Sequence, residues 1–288
     1  MGDRTAHLRD FFARYVAAAG RARDPAIGAA FAATPREPFA GPGPWAIHVI
    51  GAGYIETPDD DPAFLYQDTL VALDAARGIN IGQPSAHAHW LDALGLRPGE
   101  TAIQVGAGTG YYTTILAHLV GAAGRVHAYE IDAGLAARAK ANLAGLPQAE
   151  VVARSGLGAE LPQADAIYVC AGLARPDRAW LDALRPGARL MFPLQAAGAA
   201  GGMLKIRRPA EGGLWPARFV SNAAFIACQA PQDAEADRRL TQAFARGDAR
   251  VVRSFRTDAP IDDSCWFAGE GWWLSRTDPA EAAPPSSP

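Results

Sequence analysis

The chain has 288 residues, 49% of them hydrophobic and 20% charged, with a formal net charge of −3. This is an ordinary globular composition, long enough for a sizeable core, and its charge balance argues against nucleic acid as a partner. No run approaches the roughly 18 apolar residues of a membrane span, and the polar start, Met1 to Arg9, lacks a secretory apolar stretch, so a cytoplasmic, reduced protein is expected.

In chain order, residues 5–19 read as an amphipathic helix with Leu8, Phe11, Phe12, Tyr15 and Val16 at helical spacing. A shorter helix, Ile27 to Ala33, stops at Pro35. Residues 40–62 are rich in Gly, Pro and Asp and read as a long loop with one short strand, Ala46 to Ile50. Tyr66 to Leu73 is strand-like or extended. From Pro84 the pattern changes. Ser85 is placed to cap a helix running to Leu94.

Strands and helices then alternate: strand Thr101–Val105, helix Tyr112–Leu119, strand Arg125–Tyr129, helix Ala133–Leu143, and strands Glu150–Ala153 and Ala164–Val169. A helix Arg178–Leu184 and a strand Ala188–Pro193 follow. Such alternation predicts an α/β fold with a doubly wound parallel sheet. Gly202–Arg207 and Arg218–Ala227 read as an antiparallel edge hairpin, followed by helix Ala234–Phe244 and strands Val251–Arg256 and Trp272–Ser275. The expected organisation is an N-terminal cap (1–79), a core (80–230), a C-terminal extension (231–278) and a disordered Pro-, Ala- and Ser-rich tail (279–288).

Cys170, Cys228 and Cys265 lack metal-ligand spacing, and Cys170, in an apolar run, reads as a buried thiol. Lys205, Arg207 and Arg208 form a short basic cluster, read as a solvated strand edge rather than a phosphate site.

The segment carrying chemistry is Gln104-Val105-Gly106-Ala107-Gly108-Thr109-Gly110, a strand entering a glycine-rich turn. Glycines let the backbone turn tightly and approach a ligand, and the next helix offers free N–H groups at its start. Glu130 ends the following strand, twenty residues after Gly110, where an acid can accept hydrogen bonds from both ribose hydroxyls of an adenosine. Tyr111 follows Gly110 where a dinucleotide fold wants Gly or Ala, and a tyrosine would crowd a pyrophosphate. S-adenosyl-L-methionine carries no phosphate and satisfies both features. A ligand-free tight turn and a nicotinamide cofactor stand as the alternatives.

Several segments together resemble the protein-L-isoaspartate O-methyltransferase family. Pro35-Arg36-Glu37-Pro38-Phe39 is similar to its Pro-Arg-Glu-x-Phe stretch, and Asn80-Ile81-Gly82-Gln83-Pro84 to its Thr-Ile-Ser-x-Pro loop. Leu96-Arg97-Pro98-Gly99, Asp165–Val169 and Leu184–Leu190 also fit, so that the likeness covers roughly residues 5–230. It implies a class I S-adenosylmethionine-dependent methyltransferase fold. It implies cofactor contacts at Ile81, His87, Gly106, Ala107, Gly108, Thr109, Gly110, Glu130, Ile131, Ser155 and Gly156. His87 also reads as an ordinary helix residue. Asn80, Gly82 and Gln83 form the loop expected to meet the acceptor.

The chain departs from the family pattern at four places. Asn80 and Gly82 stand for Thr and Ser, Ser155 for the acid of a Gly-Asp-Gly turn, and Gln104 for an acid before the glycines. The family implies methyl transfer to a carboxylate on a protein or peptide. A carboxylate is ionised near neutral pH, so no general base is required and no catalytic residue is assigned. Transfer to a small molecule or another nucleophile, and a non-catalytic binding module, remain the other readings. The aromatics Trp266, Phe267, Trp272 and Trp273 read as packing for the C-terminal extension, or else as a substrate wall.

Overall fold

The structure is a computed structural model that describes residues 2–158, 160–211, 213–229, 233–246, 249–257 and 260–279. It forms two compact units that meet in sequence at Gly156 and Leu157. The tail expected to be disordered, from 280 onward, lies outside the described residues.

The first unit opens with helices α1 (Gly2–Ala19), α2 (Pro25–Ala33) and α3 (Glu37–Ala40). In α1, Phe12, Ala13 and Val16 are buried, whereas Phe11 and Tyr15, placed in the apolar stripe from sequence, are 63% and 49% exposed and stack on each other. The buried side is thus a narrow i, i+4 line. Asp24 caps α2 by accepting from Ala26 N at 2.8 Å, a cap of about 1 kcal/mol. Gly20, just beyond α1, permits a close approach to the next core helix: a Cβ there would lie 2.5 Å from Ser85 O.

The expected long loop is more ordered than its composition suggests. It holds a hairpin of β1 (Ala46–Val49) and β2 (Gly53–Glu56), with β3 (Val71–Asp74) and β4 (Ile79–Ile81) completing an antiparallel sheet in the order β2-β1-β3-β4. Residues 66–70, read as strand-like or extended, precede β3, and β4 falls in the segment read as a loop. Helix α4 (Pro84–Leu94) follows, and its N-cap is Gln83 rather than Ser85. The Ser85 hydroxyl and N–H go instead to Asp68, at 2.6 and 2.8 Å.

Then β5 (Thr101–Val105), α5 (Tyr111–Val120), β6 (Arg125–Tyr129), α6 (Ala133–Asn142) and β7 (Ala149–Val152) alternate, with β5-β6-β7 parallel. Nearly every residue of β5 is buried, as strands covered on both faces require. Asp132 caps α6 through Gly134 N and Leu135 N, both at 3.0 Å.

The second unit contains β8 (Ala164–Val169), α7 (Arg178–Ala183), β9 (Leu184–Leu194), β10 (Gly201–Arg207) and β11 (Trp215–Ala223). Strands β8 and β9 are parallel, and β9-β10-β11 is antiparallel, as the hairpin pattern predicts. Helix α8 (Ala234–Arg246) and strands β12 (Ser254–Arg256), β13 (Cys265–Gly269) and β14 (Trp272–Ser275) complete it. Sequence reading missed β13 and began β12 three residues early, where the chain makes a short 3-10 turn. The added aromatics pack: Trp266 meets Phe219 and Phe244 edge-on, both at 5.3 Å, and Trp273 lies 4.5 Å beneath the Arg256 guanidinium. Cys170, read as buried, is only partly so. Among the described residues no helix is long and apolar enough to cross a membrane, and no cluster of His, Cys, Asp or Glu could hold a metal ion.

Candidate active site

The site is built within the first unit, where β5 ends. Gly106, Gly108 and Gly110 take φ values of 80, 58 and 93°, the left-handed region open to glycine. The turn is anchored to the neighbouring strand because Gly106 N and Ala107 N donate to Tyr129 O at 2.9 and 3.1 Å. It closes on itself through Gly110 N to Ala107 O, and Asn142 Nδ2 holds the Thr109 carbonyl, both at 2.9 Å. Gly110 serves the fold as well: a Cβ there would lie 2.3 Å from Leu143 Cδ1.

Glu130, 6% exposed, adjoins the turn. Its Oε2 accepts from Gly108 N at 2.7 Å and its Oε1 from Asp132 N at 2.9 Å. Each oxygen keeps further acceptor capacity, and the two N–H donors fix the orientation of the carboxylate. Beside it Ile131 is 45% exposed, an apolar surface at the mouth of the turn. Thr109 Oγ1 is buried without a hydrogen-bond partner. Gly156, at the turn after β7, packs so tightly that a Cβ would meet Val105 Cγ2 at 2.8 Å, with the partly buried Ser155 preceding it.

The acceptor-loop residues meet a second arrangement. Ile81 is buried in β4 opposite Val71. Asn80 Nδ2 donates to Gly78 O at 2.8 Å, and Gln83 Nε2 to Asp68 Oδ2 at 3.1 Å, so both amide nitrogens are engaged by the protein. The Tyr112 hydroxyl donates to Gly82 O at 2.6 Å. The ring of His87 stacks on Tyr112 with centroids 3.5 Å apart, and burial pushes its pKa down to about 3, so the imidazole is neutral.

Three contributors escaped the sequence reading. Asp68 ties Gln83 to Ser85, Tyr112 ties α5 to the acceptor loop, and Thr113 donates to Gln104 Oε1 at 2.6 Å in the core. That last bond pairs a neutral amide with a hydroxyl where the family places an acid.

Comparison with known proteins decides the family. The family model described as protein-L-isoaspartate(D-aspartate) O-methyltransferase (PCMT) matches residues 56–228. The chain belongs to this family. A protein-L-isoaspartate O-methyltransferase of Anaeromyxobacter dehalogenans strain 2CP-C is 39% identical over 153 residues, spanning 50% of this chain and 72% of that protein. Its counterpart in strain 2CP-1 is 38% identical over 183 residues, spanning 53% and 86%. A solved protein-L-isoaspartate O-methyltransferase superposes with a TM-score of 0.63 at 21% identity, covering 82% of this chain and 69% of that one. A Plasmodium falciparum structure described as a protein-L-isoaspartate O-methyltransferase with bound S-adenosyl-L-homocysteine gives 0.60 at 19%, covering 76% and 97%. At those identities the structures establish the fold alone, the class I methyltransferase fold. As a PCMT family member the protein is an S-adenosylmethionine-dependent methyltransferase, and the glycine turn with its buried carboxylate is a cradle that fits this cofactor.

Proposed function

We propose that the protein methylates a carboxylate of a protein or peptide, isoaspartate being the acceptor to test first, with S-adenosylmethionine held by the β5 turn. The observation that carries this reading is Glu130, whose buried carboxylate is held against the glycine turn by Gly108 N and Asp132 N. Gly106, Ala107, Gly108, Thr109 and Gly110 would hold the amino-acid end of the cofactor, Glu130 its ribose, and Ile131, Ser155 and Gly156 its adenine, with Ile81 and His87 supporting the loop above. The bound cofactor supplies an electrophilic sulfonium methyl.

The chain's own task is alignment. An ionised carboxylate needs no base, and the neutral His87 stacked on Tyr112 is suited to excluding water rather than to moving a proton. Gly82 offers no hydroxyl, and the amide nitrogens of Asn80 and Gln83 donate to Gly78 O and Asp68 Oδ2. Backbone groups of residues 80–83 would therefore present the acceptor. The direct test is methyl transfer to an isoaspartyl peptide beside its aspartyl isomer and the asparaginyl peptide of the same sequence. Transfer to the isoaspartyl form alone supports the reading. Equal transfer to all three, or transfer only to small-molecule acids, would contradict it.

A further inference from the structure

Arg36 and Glu37, from the Pro-Arg-Glu stretch that the chain shares with its family, both act on one short segment far along the chain. Arg36 is fully buried, and its Nη1 donates to two main-chain carbonyls, Leu65 O at 2.7 Å and Gln67 O at 2.9 Å. The residue between them, Tyr66, donates its hydroxyl to Glu37 Oε2 at 2.8 Å. Burial and Glu37 push the Tyr66 phenol up to about 12, so it is a neutral donor. Two adjacent residues thus hold three consecutive ones at three points.

A guanidinium in this position opposes folding. Its charge has left water, and Nε and Nη2 are buried without a hydrogen-bond partner. The rings of Phe12 and Tyr111, with centroids 5.3 and 5.5 Å from Cζ, offset part of that cost. A methionine would fill much of the same space without it. What an apolar side chain lacks is a nitrogen that donates to two carbonyls at once. The segment held in this way leads directly into Asp68. The Asp68 carboxylate takes Ser85 N at 2.8 Å, Ser85 Oγ at 2.6 Å and Gln83 Nε2 at 3.1 Å, where the acceptor loop passes into α4.

We propose that Arg36 is a positioning residue for the methyl acceptor: with Glu37 it clamps residues 65–67, and through Asp68 it sets the acceptor loop, residues 80–83. The connection is a line of hydrogen bonds from Arg36 to the carbonyls of residues 65 and 67, and from Asp68 to residues 83 and 85. Alignment is the chain's main task in this reaction, and a misplacement of about 1 Å that begins far from the chemistry can cost about a hundredfold in rate. The inference rests on the reading that residues 80–83 meet a polypeptide acceptor.

The test combines methylation kinetics on an isoaspartyl peptide, calorimetric titration of S-adenosylmethionine, and hydrogen exchange at single amides. Arg36→Met keeps the packing against Phe12 and Tyr111 and is expected to raise the acceptor KM about tenfold while the cofactor Kd stays within about twofold. Arg36→Lys, which keeps N–H donors on a flexible stem, should recover part of the loss. Arg36→Met with Asp68→Ala should be within about twofold of the poorer single variant, because both changes break one line of contacts. The Ser85 amide, held by Asp68, should exchange faster in Arg36→Met, and the Gly110 amide, held by Ala107 O, should not. Tyr66→Phe removes a single hydroxyl and carries the same readouts if Arg36→Met does not fold, with a KM rise of about threefold. Unchanged KM and unchanged Ser85 exchange, fully multiplicative effects in the double variant, or a cofactor Kd that rises as much as KM would overturn the proposal. If no polypeptide carboxylate is methylated at all, faster Ser85 exchange upholds the clamp and removes the acceptor reading, whereas unchanged exchange removes both.

Discussion

The imidazole of His87 stands where a side chain at position 82 would begin: a Cβ placed on Gly82 would lie 2.2 Å from His87 Nε2. The ring is not free to retreat. It is 2% exposed, stacked on Tyr112 at 3.5 Å and flanked edge-on by Trp90 at 5.2 Å. The glycine that replaces the family's serine and the buried ring are therefore a matched pair. Restoring the family residue, Gly82→Ser, is expected to destabilise the fold by about 1–3 kcal/mol, the usual cost of overpacking. Adding His87→Ala should recover part of that loss. Urea unfolding of the single and double variants checks this, and an unchanged midpoint for Gly82→Ser would refute the pairing.

The same burial makes stability depend on pH. Folded His87 titrates near 3, below the ordinary value of about 6.5 in the unfolded chain. Below 6.5 the unfolded state binds the extra proton, so this residue contributes a loss of stability as pH falls from about 6.5 toward 3. Between pH 7 and pH 5 the loss amounts to about 2 kcal/mol. His87→Phe, which keeps a stacking ring without a titrating nitrogen, should flatten that part of the profile. Equal slopes for the two proteins would show that His87 is not neutral and buried.

Asp68 organises the acceptor loop from fifteen residues or more away, taking Ser85 N, Ser85 Oγ and Gln83 Nε2. Asp68→Ala removes three hydrogen bonds at once and is expected to cost about 1–3 kcal/mol of stability. Its kinetic mark should be a raised KM for the acceptor with cofactor affinity little changed, because none of its bonds reaches the glycine turn. A loss of cofactor affinity as large as the rise in acceptor KM would contradict this division.

The parts of the fold legible in sequence are those that carry their own pattern. β5, the glycine turn and α5 combine an apolar strand, three left-handed glycines and a helix of nine buried residues, and they appear where the pattern places them. β2, β4 and β13 were missed because strands of three to five residues are stabilised by partners distant in sequence, which periodicity does not record. Ser85 fits the N-cap role by residue type, but the helix already begins at Pro84 with Gln83 as its N-cap, so Ser85 lies within the first turn and its hydroxyl donates to Asp68. The basic cluster of residues 205–208 looked short because its two neighbours, Arg189 and Arg218, join it only through strand register.

Glu130 and the glycine turn are proposed to hold the methyl donor. Isothermal titration of S-adenosylmethionine into wild type and Glu130→Gln tests it most directly. Saturable one-to-one binding is expected in the wild type, with a loss of about 1–3 kcal/mol in the variant, the cost of removing a hydrogen-bonded charged group. Absence of binding in the wild type, or equal affinity in the two proteins, would contradict it.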